Sequence, residues 1–275
     1  MSYFSSRYYR DGSVNLSALR EVAPSVFADR PWDRVSNRYR FLPSIDSVLA
    51  LSAAGFAPVA ASQSRTRIAG KAGFARHLIR FRRTGDEFRR GQEVSEVVLV
   101  NSHDGSSTYR LFGGVFRVLC ENGLVVSVAD AGQVVARHTG DDDFKSTIVD
   151  AAFTVVANAD ALAGKIDQWK SITLDHGQQV EFATAAYALR GTSTKVDADS
   201  ILAPRRVEDR SDAGSARSLW LTLNVVQENL VRGGLPGLTS TGRHRATSAI
   251  RAVDANVQLN QGLWAMASDY AAIAA

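Results

Sequence analysis

The chain has 275 residues, 45% of them apolar and 22% charged, with a formal net charge of +4 at pH 7. That length and apolar content suffice for a large core with a smaller appendage, and the positive sign excludes an acidic mimic of nucleic acid. Cys120 is the single cysteine, so an intramolecular disulfide and a zinc site built on several thiolates are excluded.

No run of ~18 apolar residues is present, and the start, MSYFSSRYYRDGS, lacks the basic-then-apolar layout of a secretory leader. A cytoplasmic protein without membrane contact is expected. Residues 1–36 are rich in Ser, Arg, Asp and aromatics without sustained periodicity, and read as an N-terminal arm with little structure of its own.

A core domain is expected over 37–195. Ser44 is placed to cap a helix whose Ile45, Val48, Leu49 and Leu51 fall at helical spacing before Gly55. Two strands follow, over 56–67 and 74–83, with Gly70 and Gly73 at the turn between them. In the second, the period of two puts Arg76, Leu78, Arg80 and Arg82 on one face and His77, Ile79, Phe81 and Arg83 on the other. A third strand over 94–101 carries Val97, Val98, Leu99 and Val100 without interruption, which marks the centre of the sheet.

Asp104-Gly105 supplies turn chemistry. Beyond it Tyr109, Phe112, Phe116 and Leu119 recur every three or four residues, which predicts a helix closing at Asn122-Gly123. A hairpin-like pair is expected over 124–128 and 133–136, and helices over 141–168 and 182–190. The polar stretch 195–217 reads as a linker, so 196–275 is a linker and a C-terminal helical region with Leu219, Trp220, Leu223, Val226 and Leu230 on one helix. A final helix carries Ile250, Val253, Val257 and Trp264, beyond a Gly/Pro-rich loop at 233–241. The class is α+β: an antiparallel sheet with a helix-strand-strand-strand-helix core and a helical C-terminal part.

Basic residues cluster. Arg65, Arg67, Lys71, Arg76, Arg80, Arg82, Arg83, Arg89 and Arg90 are opposed within that stretch only by Asp86 and Glu87. Two readings stand: a face that binds the phosphates of nucleic acid, or a solvated strand surface balanced by charges elsewhere. Phe74, Phe81 and Phe88, interleaved with these cations, are candidates for base stacking.

Conventional catalytic patterns are missing. The histidines form neither HxxxH nor HExxH, Gly113-Gly114 lacks the lysine of a phosphate loop, and no serine sits in a GxSxG setting. Asp141, Asp142 and Asp143 are simpler as helix-dipole partners than as cation ligands. Neither a cofactor nor a metal is expected, and the chain does not read as an enzyme.

The segment VNSHDGSSTYRLFGGVFRVLCENG, residues 100–123, resembles the central motif of the phage/plasmid-like family, a domain-of-unknown-function family numbered 932. GFAPVAASQSRTR at 55–67, ARHLIRFRR at 75–83, LWLTLNVVQENLVRGG at 219–234 and GRHRATSAI at 242–250 extend the likeness over most of the chain. Within the matching segments His77, Asn101, His103, Asp104, Arg117, Cys120, Asn122 and Gly123 are the motif positions. For His103 and Asp104 a structural role in the turn stands beside an acid/base pair; for Cys120, a small buried hydrophobe beside a nucleophile.

The resemblance implies a mobile-element setting and carries no activity. The expected topology is also similar to the core of single-strand annealing proteins. That likeness implies a basic groove for single-stranded nucleic acid and assembly into rings or filaments, so a homo-oligomer is expected. The tryptophan-bearing helices around Trp220 and Trp264 point the same way. The alternative is a phage- or plasmid-encoded protein that binds a host protein and inhibits a bacterial defence system.

Overall fold

In the computed structural model the described residues are 9–10, 13–84, 93–117, 124–125, 133–136, 144–206, 209 and 216–274. They divide into two compact units, Met1–Ala159 and Asp160–Ala275, and the polar stretch at 195–217 falls inside the second.

In the first unit a short strand pair, β1 (Tyr9–Arg10) and β2 (Ser13–Val14), precedes helix α1 (Leu16–Val22) and a 3-10 turn at Pro24–Phe27. Where an arm with little structure of its own is expected, Leu16–Val22 and Pro24–Phe27 are helical and pack into the core. Asn15 caps α1 by accepting from the Ala18 N–H, and Leu19, Ala23 and Val26 are fully buried. Burial of these three apolar residues, on α1, its C-cap and the turn that follows, helps offset the entropy of ordering the segment.

Helix α2 (Ser44–Ala53) leads into β3 (Phe56–Gln63), β4 (His77–Arg83), β5 (Glu93–Asn101) and β6 (Tyr109–Arg117), an antiparallel sheet in that order. The segment expected as a second helix is therefore the strand β6. It pairs with β5 from Glu93↔Arg117 to Val100↔Arg110. Its apolar run satisfies both the helical and the strand period. Two glycines cost a helix about 1 kcal/mol each, whereas in the strand Gly113 and Gly114 sit opposite Val97 and Glu96. Short strands β7 (Leu124–Val125) and β8 (Gln133–Ala136) both pair with β6 rather than with each other.

One face of the sheet carries Ile79, Phe81, Val97, Leu99, Tyr109 and Leu111, and packs on α1, α2 and α3 (Phe144–Ala157) through Leu19, Val48, Leu51, Ile148, Ala152 and Val155. This is the core of the unit. The α+β class, the antiparallel sheet and the helical C-terminal part are as expected.

The second unit is built on α4 (Ala159–Ser171), α5 (His176–Ala188), α6 (Ala198–Leu202), α7 (Leu219–Arg232) and α8 (Val253–Ala274). A capping box starts α5: Asp175 accepts from the Gln178 N–H, and the Gln178 side chain accepts from the Asp175 N–H, each at 2.9 Å. Trp169 meets Trp264 at a ring separation of 4.5 Å and Trp220 at 6.2 Å, all three buried. Strands β9 (Thr173–Leu174) and β11 (Arg217–Ser218) pair with each other, and β10 (Lys195–Val196), β12 (Pro236–Leu238) and β13 (His244–Ala246) form a small antiparallel sheet in the order β10-β12-β13. The stretch expected as a linker thus carries β10, α6 and β11. Trp220 and Trp264 fill the unit's own core, so they give no support to an assembly surface.

Candidate nucleic-acid interface

β4 does not present a basic surface. Arg80 and Arg82 lie opposite Val98 and Ala57 on the sheet face away from the helices, and they are only 9% and 6% exposed. Between them stands Glu96, whose carboxylate is fully out of solvent. Arg80 Nε donates to Oε2 at 2.6 Å, and Arg82 Nε donates to Oε1 at 3.1 Å. Both arginines are thus spoken for by a buried carboxylate, where the strand period alone had them facing outward. An acid abutting the apolar run Val97–Val100 was the signal for this partner, because an unpaired buried carboxylate is prohibitively costly.

The exposed cations gather elsewhere. β3 ends, β4 starts, β5 ends and β6 starts at one end of the sheet, and the segments 28–43, 64–76 and 102–108 meet there. The Trp32 N–H donates to the His103 carbonyl at 2.8 Å, the His103 N–H to the Phe74 carbonyl at 2.9 Å, and the Ser64 N–H to the Arg76 carbonyl at 2.8 Å. Tyr39 donates from its hydroxyl to the Ser102 carbonyl at 2.7 Å. Lys71 bonds Asp104 at 3.1 Å and lies 4.9 Å from the centre of the Trp32 ring, over which Arg34 also sits at 5.4 Å. Arg30 lies 5.8 Å from the Phe74 ring centre.

At this end Arg34, Arg38, Arg40, Arg65 and Arg67 are exposed, while Trp32, Phe74, Tyr39 and Phe41 are half-buried. Arg76 is turned to the Ser106 carbonyl. Arg65, Arg67, Lys71 and Arg76 belong to the basic cluster expected from the sequence, whereas Arg30, Arg34, Arg38 and Arg40 lie outside it. The signal was present in RPWDRVSNRYRF, where arginines alternate with aromatics.

A buried polar network holds this loop end in place. Ser44, inside α2 rather than capping it, puts its hydroxyl 2.8 Å from His77 Nε2, 2.9 Å from Asn101 Nδ2 and 3.4 Å from His103 Nε2. His77 Nδ1 lies 2.8 Å from the Ser25 hydroxyl and 3.2 Å from the Ala75 carbonyl. A carbonyl only accepts, so Nδ1 carries the proton and Nε2 accepts from Ser44. Asn101 also donates to the Leu42 carbonyl at 3.1 Å, and its side-chain oxygen accepts from the Ser102 N–H at 2.8 Å.

Burial pushes His77 down to about 4, against the opposing pull of the Ala75 carbonyl and Asp104, so its ring is neutral near pH 7. For Asp104, burial acts to raise the pKa, but hydrogen bonds from Ser106, Lys71 and Ser102 outweigh it and hold the carboxyl below its ordinary value. Burial, reinforced by Asp104, lifts the Tyr39 hydroxyl to about 12. His77, Asn101 and His103 thus meet on the Ser44 hydroxyl, while Asp104 bonds Ser106 and Lys71 in the adjoining turn.

The remaining sites scatter. Arg83 is exposed at the opposite end of β4, and Arg117 closes β6. Arg89, Arg90, Cys120, Asn122, Gly123, Phe88 and Asp141 to Asp143 lie outside the described residues. In the second unit Arg206 bonds Glu228 at 3.1 Å, and Arg205 donates to Asn229 and the Gly233 carbonyl, whereas Arg243, Arg245 and Arg251 are exposed. Among the described residues no group of three or more His, Cys, Asp or Glu could hold a metal ion, and no helix is long and apolar enough to cross a membrane.

The family model of a domain of unknown function (DUF932) matches residues 31–264. Two relatives from Escherichia coli (strain K12), UPF0380 protein YafZ and UPF0380 protein YfjQ, are each 36% identical over 260 residues, covering 94% of this chain and 92% of the relative. No solved structure matches the chain.

Proposed function

The chain belongs to the DUF932 family, and from the geometry of this member we propose that it binds nucleic acid, single strands in preference to duplex, at the loop end of the large sheet. The observation that carries the reading is the convergence of Arg34, Arg38, Arg40, Arg65 and Arg67 with the half-buried rings of Trp32 and Phe74. Cations neutralise phosphates without regard to sequence, and ring faces stack on bases that only a single strand leaves open. The buried network of Ser44, His77, Asn101 and His103 fixes the loops in advance, which lowers the entropy lost on binding. Annealing of complementary strands, on behalf of the mobile element that carries the gene, is the process such a surface serves.

Titration of labelled single-stranded and duplex DNA at two salt concentrations tests this. With five phosphates neutralised, log K against log salt should fall with a slope of roughly −3 to −4 for single strands, at about −0.7 per contact. Replacing Arg34, Arg38, Arg65 and Arg67 together by Ala should remove most of the affinity and leave the unfolding transition in place, since exposed charges contribute little to stability. Lack of binding at ~50 mM salt, or undiminished binding by the fourfold variant, overturns the reading.

A further inference from the structure

A second and separate feature lies in the Asp160–Ala275 unit. Beyond α5 the chain turns at Gly191, whose φ is +59°, and the segment Thr192, Ser193, Thr194 faces the end of β13 across a polar cleft of about 130 Å³ that Arg190, Arg245 and Ser248 complete. None of the residues lining it is acidic. We propose that this cleft binds a phosphate group.

Its size selects the ligand class. Pockets for drug-sized molecules run to ~300–1,000 Å³, and at about 30 Å³ per water this one has room for roughly four waters. A single phosphate group fits within it.

Its chemistry selects the charge. Arg190 is fixed by its own fold: Nη1 donates to the Leu230 carbonyl at 2.7 Å and Nη2 donates to the Ser248 carbonyl. A guanidinium carries five N–H donors, so the bonds to Leu230 and Ser248 immobilise the group without exhausting it. Burial lowers the Arg190 pKa, partly offset by Tyr187, yet an arginine stays charged at any ordinary pH. A partly desolvated cation held in place recognises an anion more strongly than one waving in water.

Arg245 supplies the second charge from the outer strand of its small sheet, where it is exposed and pairs in register with Gly237. A glycine opposite offers its side chain no cross-strand packing. The hydroxyls of Thr192, Ser193 and Ser248, all on exposed residues, add neutral donors around the same opening. An arginine fork can grip two oxygens along one edge of a tetrahedral phosphate, and the flanking hydroxyls can donate to the others.

This site shares no residue with the loop end of the large sheet, so it stands or falls by itself. Inorganic phosphate is titrated into the full chain at constant ionic strength, with chloride as the control, and read by calorimetry and by the thermal midpoint. Saturable binding by phosphate but not by chloride is expected, weakened about tenfold or more in Arg245→Ala, whose midpoint without phosphate should equal that of the unaltered chain. Ser193→Ala, on an exposed turn residue, should weaken it less. A response that does not saturate, that chloride reproduces, or that Arg245→Ala leaves unchanged overturns the proposal.

The source of the phosphate is read from oligonucleotides with and without a 5′-phosphate. If Arg245→Ala weakens both alike, the site takes backbone phosphodiesters. If only the phosphorylated strand loses affinity, it takes a terminal monoester. If neither does while phosphate binding is lost, the ligand is a free phosphate ester.

Discussion

Arg80 and Glu96 join neighbouring strands through a 2.6 Å bond from Nε to Oε2, on the sheet face away from the helices, with the Glu96 carboxylate wholly removed from water. Arg82 shares the same carboxylate. Removing the anion strands two buried guanidinium groups, and breaking a buried ion pair in this way costs about 3–5 kcal/mol against a typical total of ~5–15. Glu96→Gln keeps the shape and loses the charge, so it should lower the urea midpoint steeply. A loss under ~1 kcal/mol would show that water reaches the arginines. The same geometry predicts that Arg80→Ala with Arg82→Ala destabilises the fold, whereas Arg65→Ala with Arg67→Ala does not.

His77 makes stability depend on pH in a defined window. Its folded pKa, about 4, lies below the unfolded value of 6.5, so between those limits the unfolded chain holds a proton that the folded chain lacks. Stability therefore rises with pH across the window, is complete above about pH 6.5, and is lost as pH falls toward 4, by roughly 3 kcal/mol at most. Denaturant midpoints at pH 7.5, 6, 5 and 4.5 should show the decline, and His77→Gln should flatten that part of the curve at the cost of a lower plateau. A parallel curve in the variant would assign the decline to other groups.

Gly237 is required by space rather than by backbone freedom. A Cβ there would lie 2.4 Å from the Lys195 carbonyl oxygen and 2.8 Å from the Thr194 side chain. Gly237→Ala must push β10 away from β12, at about 1–3 kcal/mol. Hydrogen exchange should show faster exchange at the β10 and β12 amides, with the large sheet unaffected. Equal protection in the variant would contradict the packing described.

Trp169 is the hub of the second unit, touching both Trp220 and Trp264. Trp169→Ala should cost about 3–5 kcal/mol and shift the fluorescence of the remaining tryptophans to longer wavelength as water enters. A stable variant with unchanged emission would mean that the three rings do not form one core.

Much of the fold was legible because its signals are local. Apolar residues at helical spacing from Ile45 to Leu51 and from Leu219 to Leu230, and the unbroken run from Val97 to Val100, meet the same physics in any context. The region 109–117 was not, because its apolar spacing satisfies both a helix and a two-sided strand, and the pairing with β5 settles what the two glycines only hint at. Residues 16–27 escaped notice for the converse reason: the segment is too short to show its period clearly, and it is the core that orders it.

For the site, the sequence by itself determined that the family motif around Asn101 to Gly105 builds a turn and that arginines crowd the stretch from Arg65 to Arg90. Only the tertiary structure decided which arginines meet solvent. Strand periodicity assigns a side chain to a face but does not say whether that face is covered, and it cannot see that Glu96 lies within reach of Arg80 and Arg82. The arginines of residues 30–40 join Arg65 and Arg67 because long-range hydrogen bonds from Trp32 to His103 and from His103 to Phe74 draw three loops to one end of the sheet. Charge is written in the sequence, but its local concentration is a property of the fold.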